Sequence, residues 1–176
     1  FSDFRIEASN IESNVIYPVM LSNGLIPFYI SKLPMAILPI EKENGKWIGI
    51  ERSRLISMST GFRRLISRAS QQYGAGTNIE TLWDWLNTRN KLNNQSLTVG
   101  GFIIFSGTGG QYVCAHYLSS NECDCDRLVI DQTVNYFQVQ EENEARFIVG
   151  LLNSNIVSDA IRSFQSEGNF GARHIH

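Results

Sequence analysis

The opening third of the chain is patterned as short strands. Residues 14–21 (NVIYPVML) are rich in β-formers, and Ser22-Asn23-Gly24 closes them with a turn signal. Runs at 25–30 and 35–40 follow, and Pro34 and Pro39 push both towards sheet edges. Glu43-Asn44-Gly45-Lys46 then turns the chain into a strand at 47–50, which completes a hairpin meander. Beyond it the apolar period lengthens from two to about 3.6 residues. Phe62, Leu65, Ile66, Ala69 and Tyr73 fall on one face of a helix that Ser59 or Thr60 can cap and Gly74 and Gly76 stop. A second helix is predicted after Thr77-Asn78, carrying Ile79, Leu82, Trp83 and Leu86 and ending near 89–91.

From Thr98 the strand pattern returns. Residues 102–105 and 112–117 flank the glycine-rich Ser106-Gly107-Thr108-Gly109-Gly110, and 128–130 and 136–139 are the last strands. Glu141, Glu142 and Glu144 suit the positive end of a following helix, whose inward stripe is Ala145, Ile148, Val149 and Leu152. Asn153 and Ser154 break it and can cap a final helix bearing Ile156, Ala160, Ile161 and Phe164, with Gly168 beyond. This order predicts an α+β fold: a mixed or antiparallel sheet, central helices and a C-terminal helix pair, in a single domain spanning 1–176.

Length fits one domain, since a chain of 176 residues buries roughly 70% of its unfolded surface without staples. No apolar run approaches the roughly 20 residues that span a bilayer, so no membrane partner is expected. The start, FSDFRIEASN, lacks the plan of a signal peptide and an initiator Met, and the chain ends abruptly at His176. We therefore expect a fragment of a longer protein. Cys114, Cys123 and Cys125 are an odd number with no extracellular cue, which points to free thiols in the cytoplasm. A metal cluster with His116 is disfavoured, because Cys123 and Cys125 are separated by one residue where zinc knuckles use two to four.

Charge changes the picture through its distribution. The net −2 argues mildly against a nucleic-acid binder, yet residues 51–92 hold seven basic residues against three acids, a local +4. Residues 121–145 hold seven acids against Arg127, a local −6. Such a chain can present one basic face to DNA while its total stays near zero. On the first predicted helix Arg63, Arg64 and Arg68 lie opposite the apolar stripe with Gln71 beside them, and Arg89 and Lys91 follow the second. Arginine reads guanine's O6/N7 edge through two hydrogen bonds, and glutamine can do the same for adenine's N6/N7 edge. A solvated helix face is the plainer alternative.

The glycine loop has two readings as well. It lacks the Gly-Lys-Ser/Thr ending and following helix of a P-loop, so a hairpin turn is one. In the other, its backbone approaches a phosphate or base edge, with Ser106, Thr108 and Gln111 as polar readers. Arg173 and His174 sit in a tail (RHIH) that is either frayed or a further DNA contact; no nucleophile or carboxylate partner marks it as catalytic. Trp83, Trp85, Tyr136 and Phe137 suit packing better than base stacking. No Asn/Asp-Pro-Pro-aromatic motif for a flipped adenine occurs, since Pro18, Pro27, Pro34 and Pro39 are all isolated. A nuclease pattern is absent too. No catalytic residue is assigned.

Three segments, in order, resemble the C-terminal target-recognition domain of bacterial adenine-N6 DNA methyltransferases and the type II restriction-modification enzymes fused to them. Gly101-Phe-Ile-Ile-Phe-Ser-Gly-Thr-Gly-Gly with its return strand is similar to a strand–SG–strand hairpin. Residues 129–154 are similar to a "D…Y…EA..L…LNS" run, and 168–175 to a "G..G.RHI" tail. Residues 23–40 are more weakly similar, and 51–97 match nothing in the pattern, as expected where target specificity varies. The resemblance implies a module that contacts the major groove and backbone of double-stranded DNA. A methyltransferase catalytic domain in the same parent polypeptide would flip and modify the adenine. S-adenosylmethionine would serve that domain, and no cofactor is expected in this chain. The alternative is a protein-interaction module, such as a specificity-subunit segment docking on a modification subunit.

Overall fold

The computed structural model describes residues 11–72, 79–95, 97, 100–107, 112–119, 121–122 and 124–162. In chain order the strands of the first part are β1 (Ile16–Met20), β2 (Leu25–Ile26), β3 (Tyr29–Ile30), β4 (Met35–Ile37), β5 (Ile40–Glu43) and β6 (Lys46–Gly49). Three helices follow, α1 (Arg52–Ser57), α2 (Thr60–Gln72) and α3 (Ile79–Leu86). The last part holds β7 (Gly101–Ser106), β8 (Ala115–Leu118), β9 (Val129–Ile130), β10 (Val134–Val139), α4 (Glu142–Leu152) and α5 (Asn155–Arg162). The fold is α+β, with small antiparallel and mixed sheets and the helix pair at the C-terminal end. No helix among the described residues is long and apolar enough to cross a membrane.

The chain forms two compact units, residues 1–17 with 36–96 and residues 18–35 with 97–176. It passes from one to the other within β1, at the end of Met35 and again after Ser96.

In the first unit β5 and β6 form a hairpin in which Ile40 faces Gly49. Asn44 and Gly45 have φ of 50° and 78°, the paired positive angles that a two-residue hairpin turn demands and that Asn-Gly supplies at low cost. Tyr17 fastens this hairpin: its hydroxyl donates to the Ile40 carbonyl at 2.7 Å, and its ring meets Trp47 edge-on at 5.3 Å. Val15, Ile50, Phe62, Ile66 and Leu82 form the core beside it. α1 escapes the apolar pattern because only Leu55 of its six residues is not exposed. Ser59 is the cap of α2, its Oγ accepting the Phe62 N–H at 3.2 Å. Ser59 is itself held by Glu12, which accepts its N–H at 2.5 Å and its hydroxyl at 2.8 Å. Trp83 of α3 lies so close over Gly49 that a Cβ there would come within 2.9 Å of the indole. α3 ends at Leu86, earlier than its pattern predicts.

The second unit is built on β7. It is the middle strand of an antiparallel sheet, with Ile104 facing Tyr136 of β10 on one side and His116 of β8 on the other. Phe102 and Ile104 enter one core with Met20, Leu118, Leu128 and Val134; Ile103 enters another with Ala145 and Val149. Burial on both faces explains why GFIIF is continuously apolar and does not alternate. β1 and β9 pair in parallel through Val19–Val129 and Met20–Ile130.

Two predictions shift here. The run 25–30 is a two-stranded hairpin, not one strand: Pro27 fixes its own φ, Phe28 takes φ 64°, and Leu25 comes to face Ile30. The final helix is capped by Ser154, whose Oγ accepts the Val157 N–H at 3.2 Å, but its stripe is not the predicted one. Ile156 is 82% exposed and Ala160 is exposed, while Ser158 is 2% exposed with its Oγ accepting the Val113 N–H. Hydrogen-bonding capacity, invisible to an apolar count, set the inward face. Phe164 lies outside the described residues.

Candidate nucleic-acid interface

α2 earns its polarity from spacing alone. Phe62, Ile66 and Ser70 are buried at intervals of four, which leaves Arg63, Arg64, Arg68 and Gln71 on the exposed arc. The helix contains no Asp or Glu, so no carboxylate of its own competes for these guanidinium groups. Arg63 Nη2 donates to Thr60 Oγ1 at 3.3 Å, one turn back. Four long polar side chains thus share one face over a packed apolar one.

Arg89 and Lys91 are exposed on the turn after α3. This turn is built from asparagines. Asn87 Oδ1 accepts the Asn93 N–H at 2.9 Å, and Asn87 Nδ2 donates to Asn90 Oδ1 at 3.3 Å. Arg89 and Asn90 both take left-handed angles, φ 58° and 57°. For Arg89 such an angle costs about 1 kcal/mol or more, and it persists because the asparagine bonds fix the turn.

The other predicted positions fare differently. Ser106 is 7% exposed at the end of β7, where its Oγ accepts the Cys114 N–H at 3.1 Å; the hydroxyl closes the hairpin. Thr108, Gln111, Arg173 and His174 lie outside the described residues. The structure therefore gathers Arg63, Arg64, Arg68 and Gln71 on one helix face and sets Arg89 and Lys91 on a turn of the same unit. Sequence reasoning missed Arg52. It lines a groove of about 520 Å³ together with Gly49, Glu51 and Trp83. Its only advance signal was its share of the local positive charge. Arg54, in contrast, is engaged by Glu41.

The glycine loop after β7 leads back into an antiparallel strand, since Phe105 pairs with Ala115 and the Ser106 N–H donates to the Cys114 carbonyl at 2.9 Å. Among the described residues no group of three or more His, Cys, Asp and Glu side chains is placed to hold a metal ion. Cys114 and Cys125 are half-buried and form no disulfide; burial pushes the Cys114 thiol up, which makes it a poorer nucleophile and ligand.

The motif residues behind the resemblance have structural work of their own. Asp131 Oδ1 accepts the Thr133 N–H at 2.9 Å and its hydroxyl at 2.6 Å, which folds the turn between β9 and β10. Ala145 is fully buried against the sheet. Asn153 bonds Ala115 twice, accepting its N–H and donating to its carbonyl, each at 2.8 Å. No protein-family profile matches the chain, and no curated protein is similar to it.

Proposed function

We propose that this chain is the sequence-reading module of a bacterial adenine-N6 DNA methyltransferase or restriction-modification enzyme. It would act on double-stranded DNA in the cytoplasm and leave methyl transfer from S-adenosylmethionine to a catalytic domain elsewhere in the parent polypeptide. The observation that supports this best is the exposed face of α2, where Arg63, Arg64, Arg68 and Gln71 are carried without a carboxylate on the helix. Arginine forks suit guanine edges or phosphates, and an amide suits adenine. Arg89 and Lys91 on their turn suit phosphate contacts that position without reading sequence.

The test is duplex binding by the purified chain across a salt series. Each phosphate contact steepens the slope of log affinity against log salt by about 0.9. Replacing Arg63, Arg64 and Arg68 together by alanine is expected to weaken binding at least tenfold and to flatten that slope. A wild-type slope in the triple variant, or no duplex binding by the parent chain, defeats the proposal. Methyl transfer from labelled donor by this chain alone counts equally against it.

A second reading, a protein-interaction module that docks on a modification subunit, draws on α4. Phe147 and Leu151 lie one turn apart on it, and both are exposed.

A further inference from the structure

A groove in the second unit combines features that the reading of DNA does not use. It has a volume of about 510 Å³ and is bordered by Phe28, His116, Tyr117, Glu122, Glu142 and Arg146. Phe28 is its most unusual wall. The residue is 59% exposed, and its backbone holds φ 64°, an angle that bulky side chains rarely adopt. Two bonds hold it there: the Phe28 N–H donates to the Ala115 carbonyl at 3.0 Å, and the Phe28 carbonyl lies 2.9 Å from His116 Nδ1. The fold thus spends two hydrogen bonds on keeping an aromatic ring at the edge of a cleft.

Those bonds also orient the histidine. A carbonyl can only accept, so Nδ1 carries a proton, and in the neutral tautomer this leaves the lone pair of Nε2 for a donor. Nε2 lies 3.6 Å from Glu122 Oε2. In that tautomer two acceptors converge, 3.6 Å apart, beside exposed Phe28. Arg146 is already seated on Glu142, at 2.6 and 2.8 Å to the same oxygen. Glu122 takes the Ser119 N–H at 2.8 Å, and a carboxylate has further lone pairs.

We propose that this groove receives an arginine side chain from a partner polypeptide. Its guanidinium would stack on the Phe28 ring and fork its N–H groups between Glu122 and His116 Nε2. A planar guanidinium fits this set better than a lysine ammonium, since it can stack and donate two parallel bonds at once. Glu122 and Glu142 line the groove against Arg146, and the segment 121–145 that supplies both acids carries a local −6, a balance that favours a basic polypeptide over phosphate.

The experiment is an NMR titration of the full chain with the blocked tripeptide Gly-Arg-Gly, its Gly-citrulline-Gly isostere, and methylguanidinium. The expected result is saturable shifts at Phe28, His116 and Glu122 with the arginine peptide, at millimolar affinity, and none with the uncharged isostere. Phe28→Gly removes the ring but keeps the backbone angle, which glycine adopts freely, so folding is retained. That variant and Glu122→Gln should each weaken binding at least tenfold. Absence of binding, equal binding of the citrulline peptide, or wild-type affinity in both variants overturns the proposal. Methylguanidinium binding as tightly as the peptide overturns the polypeptide partner in favour of a small organic cation. No nucleic acid enters this test, so its outcome is independent of duplex binding.

Discussion

On α2 in the first unit, Arg63, Arg64, Arg68 and Gln71 point outward over a packed apolar face. In the second unit Asn153 and Ser158 bond backbone groups of distant residues, and Asp131 bonds Thr133 across its own turn. The residue types are equally polar, but they face opposite demands. A buried polar group must find a partner or lose free energy, whereas an exposed one can wait for a ligand. The comparison separates side chains that hold this fold from those displayed on its surface.

Stability measurements can break that division, beginning with its apolar reference. Phe102→Ala, at a fully buried position on the central strand β7, should cost about 3–5 kcal/mol in denaturant unfolding. Asn153→Ala strips two bonds from Ala115 and should cost roughly 1–3 kcal/mol. Alanine at Arg63, Arg64 or Arg68 should each change stability by no more than about 0.5 kcal/mol, although the triple variant is expected to weaken the proposed duplex binding at least tenfold. A large loss from an arginine variant, or none from Asn153→Ala, would erase the contrast.

The smallest expected effect is a pH dependence at the cap of α2. Burial opposes ionisation of Glu12, but its hydrogen bonds from Ser59 outweigh that and hold its carboxyl below the ordinary glutamate range. A depressed folded-state value means the contribution is complete above the ordinary glutamate value. It is lost as pH falls through the depressed one. Glu12→Gln should therefore flatten the acid limb of the stability profile slightly, as read by thermal unfolding between neutral and strongly acidic pH.

Much of the architecture was legible in the chain. The Asn44-Gly45 turn, the Ser59 cap and the stripe of Phe62 and Ile66 all follow from local chemistry, because each depends on residues within one turn of one another. The arginine face of α2 was legible for the same reason. α1 was not, since a six-residue helix with one inward leucine leaves no period to detect. The α5 face failed because Ser158 is buried by a hydrogen bond to a residue 45 positions away. The Phe28 groove was illegible on both counts: its walls come from distant segments, and a left-handed phenylalanine has no sequence signature.

The order in which the chain visits its two units bears on how such a protein could be re-engineered. Residues 36–96 form an uninterrupted stretch, but the core they enclose is completed by Val15, and Tyr17 is bonded to Ile40. A cassette cut at 36 and 96 would carry Phe62 and Trp47 into a new host without the two residues that seal them. Any chimera meant to exchange the arginine-bearing surface must therefore transplant the 11–17 strip along with the long insert, or redesign the vacated packing from scratch.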